Sequence, residues 1–200
     1  MEIKEVELKF RNGMVERTTT ELIVIHHTAS KTDLTVQEIH QLHLNQGENW
    51  KGIGYHYYIN KKGIIYRGRP EKYSGSHAID YNSISIGICL SGNFEEEDPN
   101  INQITSLIEL LHYLRTKYPN AEILGHRDLN ATACPGKNLY SKMGSVIANA
   151  ISPKDEYVKV FMSNNKLSVV LDNGKKFTYS FTDKNELLRK MSIGLKITRG

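Results

Sequence analysis

The 200-residue chain is notable first for what it lacks. No stretch of about 18 apolar residues occurs, so a membrane span is not expected. There are two cysteines, Cys89 and Cys134, too few for a disulfide framework. Neither an internal repeat nor a low-complexity tract is present, which excludes solenoids and compositionally disordered chains. No aromatic residues interleave with basic ones in a nucleic-acid motif, so no nucleic-acid partner is expected. The start, Met1 to Phe10, alternates charged and apolar residues. That is a strand pattern and not the apolar core of a signal peptide, so synthesis in the cytoplasm without export is expected. Reduced thiols follow from that setting.

Charge is present but uneven. The net +4 divides into about +5 from residue 154 onward, where ten Lys/Arg face five Asp/Glu, and −1 before it. A basic tail suggests an anionic partner, with a plain solvated surface as the alternative.

Hydrophobic periodicity marks the elements. Asn12-Gly13 between two alternating runs reads as a hairpin. Thr20 to Ile25 is a short apolar strand that ends in His26-His27. Thr35-Val-Gln-Glu38 has the form of a capping box, and the helix after it carries Val36, Ile39, Leu42 and His43 on one side. Gly52 to Ile59 and Ile64 to Tyr66 read as strands around the turn Asn60 to Gly63. Ser83 to Leu90 is a further strand, and Cys89 within it reads as a buried residue. A helix begins at Pro99 to Asn102, with Ile104, Leu107, Ile108, Leu111 and Leu114 on one stripe, and stops before Pro119. Ala121 to Leu124 is a strand leading to His126. Leu139, Met143, Val146 and Ile147 mark a last helix. The alternation predicts an α/β domain over residues 1–152, a mixed central β-sheet covered by helices. After the linker Ser152 to Asp155, three alternating runs (157–162, 167–171 and 177–181), the turn Asp172 to Gly174 and a short helix over 183–191 predict a small basic α+β module over 153–200. A core that small is marginal alone, so it leans on the first domain or on another copy.

The segment Leu124 to Gly136 carries the chemistry. His126 and Cys134 lie eight residues apart with no helical pattern between them, and an imidazole and a thiolate joined by a loop suit zinc. A third ligand is available from His26-His27. Adjacent strand residues point to opposite faces, so one of the two faces this site, and spacing alone does not choose between them. Three protein ligands leave one tetrahedral position for water. No glutamate accompanies them in a His-Glu-x-x-His arrangement.

Val24-Ile-His-His-Thr-Ala29, Gly54-Tyr-His-Tyr57, Gly75-Ser-His-Ala78, Asn82-Ser-Ile-Ser-Ile-Gly87 and Gly125-His-Arg-Asp128 with Thr132-Ala-Cys-Pro-Gly136 resemble the zinc-dependent N-acetylmuramoyl-L-alanine amidases. That family, amidase type 2, includes phage endolysins and peptidoglycan recognition proteins. The resemblance covers roughly residues 15–150. It implies His26, His126 and Cys134 as ligands of one zinc ion, with His27 packed on the opposite face. It implies that Tyr55 lies beside the metal and assists the chemistry. Thr132 occupies a position where many phage members carry lysine, and a threonine there offers a neutral hydrogen bond in place of a charge. His77 and Asn82 match segments that line the substrate groove, and Arg69 matches a Gly-Arg pair near it.

The function so implied is hydrolysis of the amide between N-acetylmuramic acid and L-alanine in peptidoglycan by zinc-activated water, in the manner of an endolysin that acts on the wall after release through a holin pore or by lysis. The alternative is a non-catalytic peptidoglycan-binding module, against which Cys134 speaks, since such members typically lack it. For the basic module, anionic wall polymers are the expected ligand, with self-association as the rival role.

Overall fold

The computed structural model describes residues 1–151, 157–163, 166–171 and 176–180. The chain divides into two units, Met1–Ile151 and Ser152–Gly200.

The first unit is built on six strands: β1 (Ile3–Lys4), β2 (Leu22–His27), β3 (Tyr57–Ile59), β4 (Ile65–Arg67), β5 (Ser85–Leu90) and β6 (Glu122–Gly125). Their order across the sheet is β1-β4-β3-β5-β2-β6. Only β3 and β4, joined by the turn Asn60 to Gly63, run antiparallel; the other pairings are parallel, so the sheet is mixed. β2 lies between β5 and β6, and its residues Ile23, Val24 and Ile25 are at most 1% exposed. A strand covered on both faces reads as a continuous apolar run, which is why Leu22 to Ile25 shows no alternation.

Helices α1 (Val36–Leu44), α2 (Ile101–Lys117), α3 (Lys137–Tyr140) and α4 (Met143–Ile151) cover the sheet. One core cluster joins Leu107, Leu111 and Val146 to Ile23, Ile25, Ile86 and Ile88. A second joins Val36 and Ile39 to Ile53, Tyr58 and Cys89. Alternate residues of β5 thus serve the two clusters, as a pleated strand requires. Thr35 and Glu38 form the expected capping box, and Asn100 with Gln103 forms another at the start of α2. Away from the strand ends that carry the site, Glu71 accepts hydrogen bonds from Tyr57, Arg67, Lys117 and Tyr118. Burial would raise this carboxyl, but the hydrogen bonds from Lys117, Tyr118 and Tyr57 outweigh it and bring it down to about 2.

Three expectations need correction. Asn12-Gly13 makes no hairpin. Residues on either side find distant partners instead: β1 pairs with β4, Arg11 N–H donates to Lys51 O, and Glu16 bridges to Tyr73. On α1 the buried face is Val36, Ile39 and His40, while Leu42 is 48% exposed. His40 replaces it because its ring accepts the Ile53 N–H and bonds Lys9 O. The last helix is two pieces, α3 and α4.

In the second unit, β7 (Tyr157–Ser163), β8 (Lys166–Leu171) and β9 (Lys176–Ser180) form an antiparallel three-stranded sheet. The expected linker 152–155, turn 172–174 and helix 183–191 lie outside the described residues. Among the described residues no helix is long and apolar enough to cross a membrane.

Candidate metal centre

Parallel strands deliver their carboxyl ends to one edge of a sheet, where ligands collect. β2 carries His26 next to its carboxyl end, and the adjacent β6 runs directly into a 3-10 turn, His126–Asp128. Asp128 fixes that junction by accepting the Gly125 N–H at 2.8 Å and the Tyr140 hydroxyl at 2.6 Å. The loop then returns, with Arg127 N–H bonded to Cys134 O at 2.8 Å, and this brings Cys134 back to His126. The potential ligand atoms of His26, His126 and Cys134 all lie within 4.8 Å of one another. These three groups could hold a metal ion.

Their chemistry fits a borderline-soft cation. Cys134 Sγ is 3.6 Å from His26 Nδ1. Nitrogen at 2.0–2.1 Å and sulfur at 2.3 Å from a tetrahedral zinc stand roughly 3.6 Å apart. Burial, reinforced by His126, keeps His26 well below the usual histidine range, so its imidazole is neutral and able to ligate. Burial pushes the Cys134 thiol up to about 12, offset only partly by a backbone hydrogen bond from His27 and by Arg127. A thiol so placed needs a neighbouring cation to become a thiolate.

Each histidine of the set is also held through its other nitrogen. Asn130 Nδ2 donates to Ile79 O at 3.3 Å, which turns Oδ1 toward His126 Nε2, 3.0 Å away. His126 therefore carries its proton on Nε2 and offers Nδ1. His26 Nε2 lies 3.0 Å from His77 Nδ1. His27 faces the other way, where its Nδ1 accepts the Phe94 N–H at 3.1 Å.

A cleft of about 600 Å³ opens beside the cluster, lined among others by Trp50, Tyr55, Ile79, His126 and Thr132. The Tyr55 ring is 5.1 Å from that of His26. Burial, with the thiols of Cys89 and Cys134 nearby, holds the Tyr55 hydroxyl well above its ordinary range, so it stays an O–H donor. Thr132 is exposed on the rim; its Oγ1 accepts the Cys134 N–H at 3.2 Å, a bond that does not use the hydroxyl proton.

The other expected groove residues sit differently. His77 borders the cleft as expected, but both its ring nitrogens face protein partners, His26 and Ser85. Asn82 Oδ1 accepts the N–H groups of His77 and Ala78 at 2.7 and 3.0 Å, so it holds the loop that carries His77, although it also borders the cleft. Arg69 does not line the cleft. It is 3% exposed and donates to the carbonyls of Ile53, Ser74 and Gly52 and to Ser76 Oγ, which makes it an internal brace and not a substrate contact. Several residues of the wall carry no site reading from sequence, His43 and Trp50 among them. His43 and Trp50 pack ring to ring at 4.9 Å, and His43 Nδ1 accepts the Gly54 N–H. Burial takes His43 down to about 4. Nothing in the linear spacing of either residue marks it as cleft-facing.

The chain matches a family model described as N-acetylmuramoyl-L-alanine amidase over residues 16–137, a span that contains the whole cleft. An endolysin of Enterobacteria phage K11 is 36% identical over 143 residues, 67% of this chain and 93% of the phage protein. The endolysin of Enterobacteria phage T3 is 40% identical over 130 residues, 62% of this chain and 85% of its own length. Among solved structures, the N-acetylmuramoyl-L-alanine amidase LysC from Clostridium intestinale URNW superposes with a TM-score of 0.69 at 40% identity, over 74% of this chain and 96% of LysC. With the His-His-Cys cluster and its cleft inside the matched span, the chain belongs to the N-acetylmuramoyl-L-alanine amidase family.

Proposed function

We propose that this protein is a zinc-dependent peptidoglycan hydrolase that cleaves the amide between the lactyl group of N-acetylmuramic acid and L-alanine. The observation that carries the reading is the convergence of His26, His126 and Cys134 on one point at the edge of a cleft that Tyr55 also lines. His26, His126 and Cys134 would hold the zinc ion, which would supply a Lewis acid for the carbonyl and bring the pKa of water down from about 15.7 toward 7.

The chain's own groups do the rest. As the amide carbon becomes tetrahedral, negative charge builds on its oxygen. Tyr55 Oη, protonated at neutral pH, donates a hydrogen bond to that oxygen, and the Thr132 hydroxyl adds a weaker one. The leaving amine must gain a proton. No carboxylate is among the residues lining the cleft, and His43 is neutral and accepts the Gly54 N–H, so Tyr55 Oη is our choice to relay to the amine the proton that the attacking water gives up. Trp50 and Ile79 offer the apolar surface against which sugar or peptide can pack.

The setting we infer is bacterial lysis: a cytoplasmic protein that reaches peptidoglycan after release through a holin pore or by lysis, as relatives named endolysins suggest. The basic module of residues 153–200 would add affinity for anionic wall polymers, or join two copies of the chain. A non-catalytic peptidoglycan-binding role is the rival reading. Purified cell walls separate the two. Hydrolysis releases new α-amino groups of L-alanine, stops on chelation and resumes on adding zinc; a pure binder sediments with the walls and releases none.

A further inference from the structure

His77 has no role in the chemistry above, yet it touches a metal ligand. We propose that His77 is a positioning residue, which fixes the tautomer and the ring orientation of His26 so that Nδ1 of His26 faces the metal. The inference rests on the reading of His26, His126 and Cys134 as ligands.

Ser85 Oγ donates its proton to Tyr81 O at 2.6 Å. Its remaining capacity is as an acceptor, and His77 Nε2 is the group that faces it, at 3.4 Å. His77 therefore carries its proton on Nε2, which leaves Nδ1 bare. That bare nitrogen lies 3.0 Å from His26 Nε2, so His26 must be the donor in the pair. With its proton on Nε2, His26 keeps a lone pair on Nδ1, the atom 3.6 Å from Cys134 Sγ. Each link in the series Tyr81 O, Ser85, His77, His26 admits one direction of donation.

The ring is also held in place. A Cβ at Gly75 would come 2.4 Å from His77 Cδ2, and one at Gly87 would come 2.6 Å from the same atom, so these two glycines make the slot the imidazole fills. Asn82 ties down the backbone N–H groups of residues 77 and 78. The His77 and His26 rings meet edge to face at 80°. A side chain this constrained has no free ring nitrogen for substrate, which sets it apart from a groove ligand. A partner that accepts the second N–H of a ligating histidine aligns the ring and raises its basicity.

The test uses two amides. Asn places its oxygen near the Nδ1 position and keeps an acceptor for His26, whereas Gln places its amide N–H2 near the Nε2 position and keeps only the donation to Ser85. Zinc affinity of metal-stripped full-length protein is measured by competition with a chromophoric chelator, and cobalt-loaded protein is compared by its visible absorption. His77→Gln is expected to weaken zinc binding by about 10–100-fold and to alter the cobalt bands, while His77→Asn stays within about threefold of the parent. Equal affinity in the two variants overturns the proposal. A parent protein that takes up no zinc overturns the ligand assignment and the proposal with it, an outcome distinct from the first.

Discussion

Cys134 Sγ and His26 Nδ1 stand 3.6 Å apart although 108 residues separate them along the chain. The distance is that between two ligand atoms on one tetrahedral zinc, and four elements produce it. β2 carries His26, β6 lies in parallel register beside it, the turn His126–Asp128 reverses the chain, and the Arg127–Cys134 backbone bond closes the return. Several consequences of that arrangement are measurable.

Tyr55→Phe removes one hydrogen-bond donor and little volume. Turnover on purified walls should fall by about two to three powers of ten, with zinc content unchanged. Full activity in this variant would remove Tyr55 from the chemistry.

Thr132→Ala deletes a neutral donor on an exposed rim. The loss should be about tenfold or less, as one neutral hydrogen bond is worth about 0.5–1.5 kcal/mol. Kinetics of wall solubilisation at fixed zinc check this; a loss as large as that of Tyr55→Phe would place Thr132 on an equal footing.

Asn130→Ala leaves His126 free to turn and to change tautomer. Zinc affinity of the metal-stripped protein should drop by about tenfold or more, measured by chelator competition, and melting of the metal-free form should be nearly unchanged.

Both nitrogens of His56 are used: Nδ1 accepts the Gly87 N–H and Nε2 bonds Tyr73 O, each at 2.9 Å. Burial, opposed in part by that Tyr73 contact, lowers it from 6.5 to about 4. The unfolded chain therefore binds a proton below pH 6.5 that the folded chain refuses until about pH 4. Stability is fully present above 6.5 and is lost as pH falls through that window. By pH 5 the metal-free protein should lose about 2 kcal/mol from this group, or about 4–8 °C in Tm. In the metal-loaded protein burial also holds His26 and His126 below the ordinary histidine range, so metal loss and the end of activity should come only below the pH at which a free imidazole charges. A melting temperature that is flat from pH 7.5 to 5 would contradict the assignment.

What was legible in the sequence followed from local physics. The apolar run of β2, the Thr35–Glu38 capping box and the stripe of α2 each encode their element within a few residues. The His126–Cys134 pair was legible from its spacing, but the choice of His26 over His27 came only through resemblance, since nothing local separates the two. What escaped depends on distant partners. Asn12-Gly13 has hairpin chemistry, but its flanks pair with β4, Lys51 and Tyr73 instead. His77 lies in a groove-like motif, and its bond to His26 exists only once β5 and β2 are side by side. Arg69 matches a Gly-Arg pair near the groove, whereas folding surrounds it with carbonyls.

The most direct test is the metal itself. Elemental analysis of the purified full-length protein should find one zinc per chain, and Cys134→Ser should lose both that zinc and the release of L-alanine amino groups from cell walls. Protein without stoichiometric metal, or a Cys134→Ser variant that digests walls at the parent rate, would contradict the account.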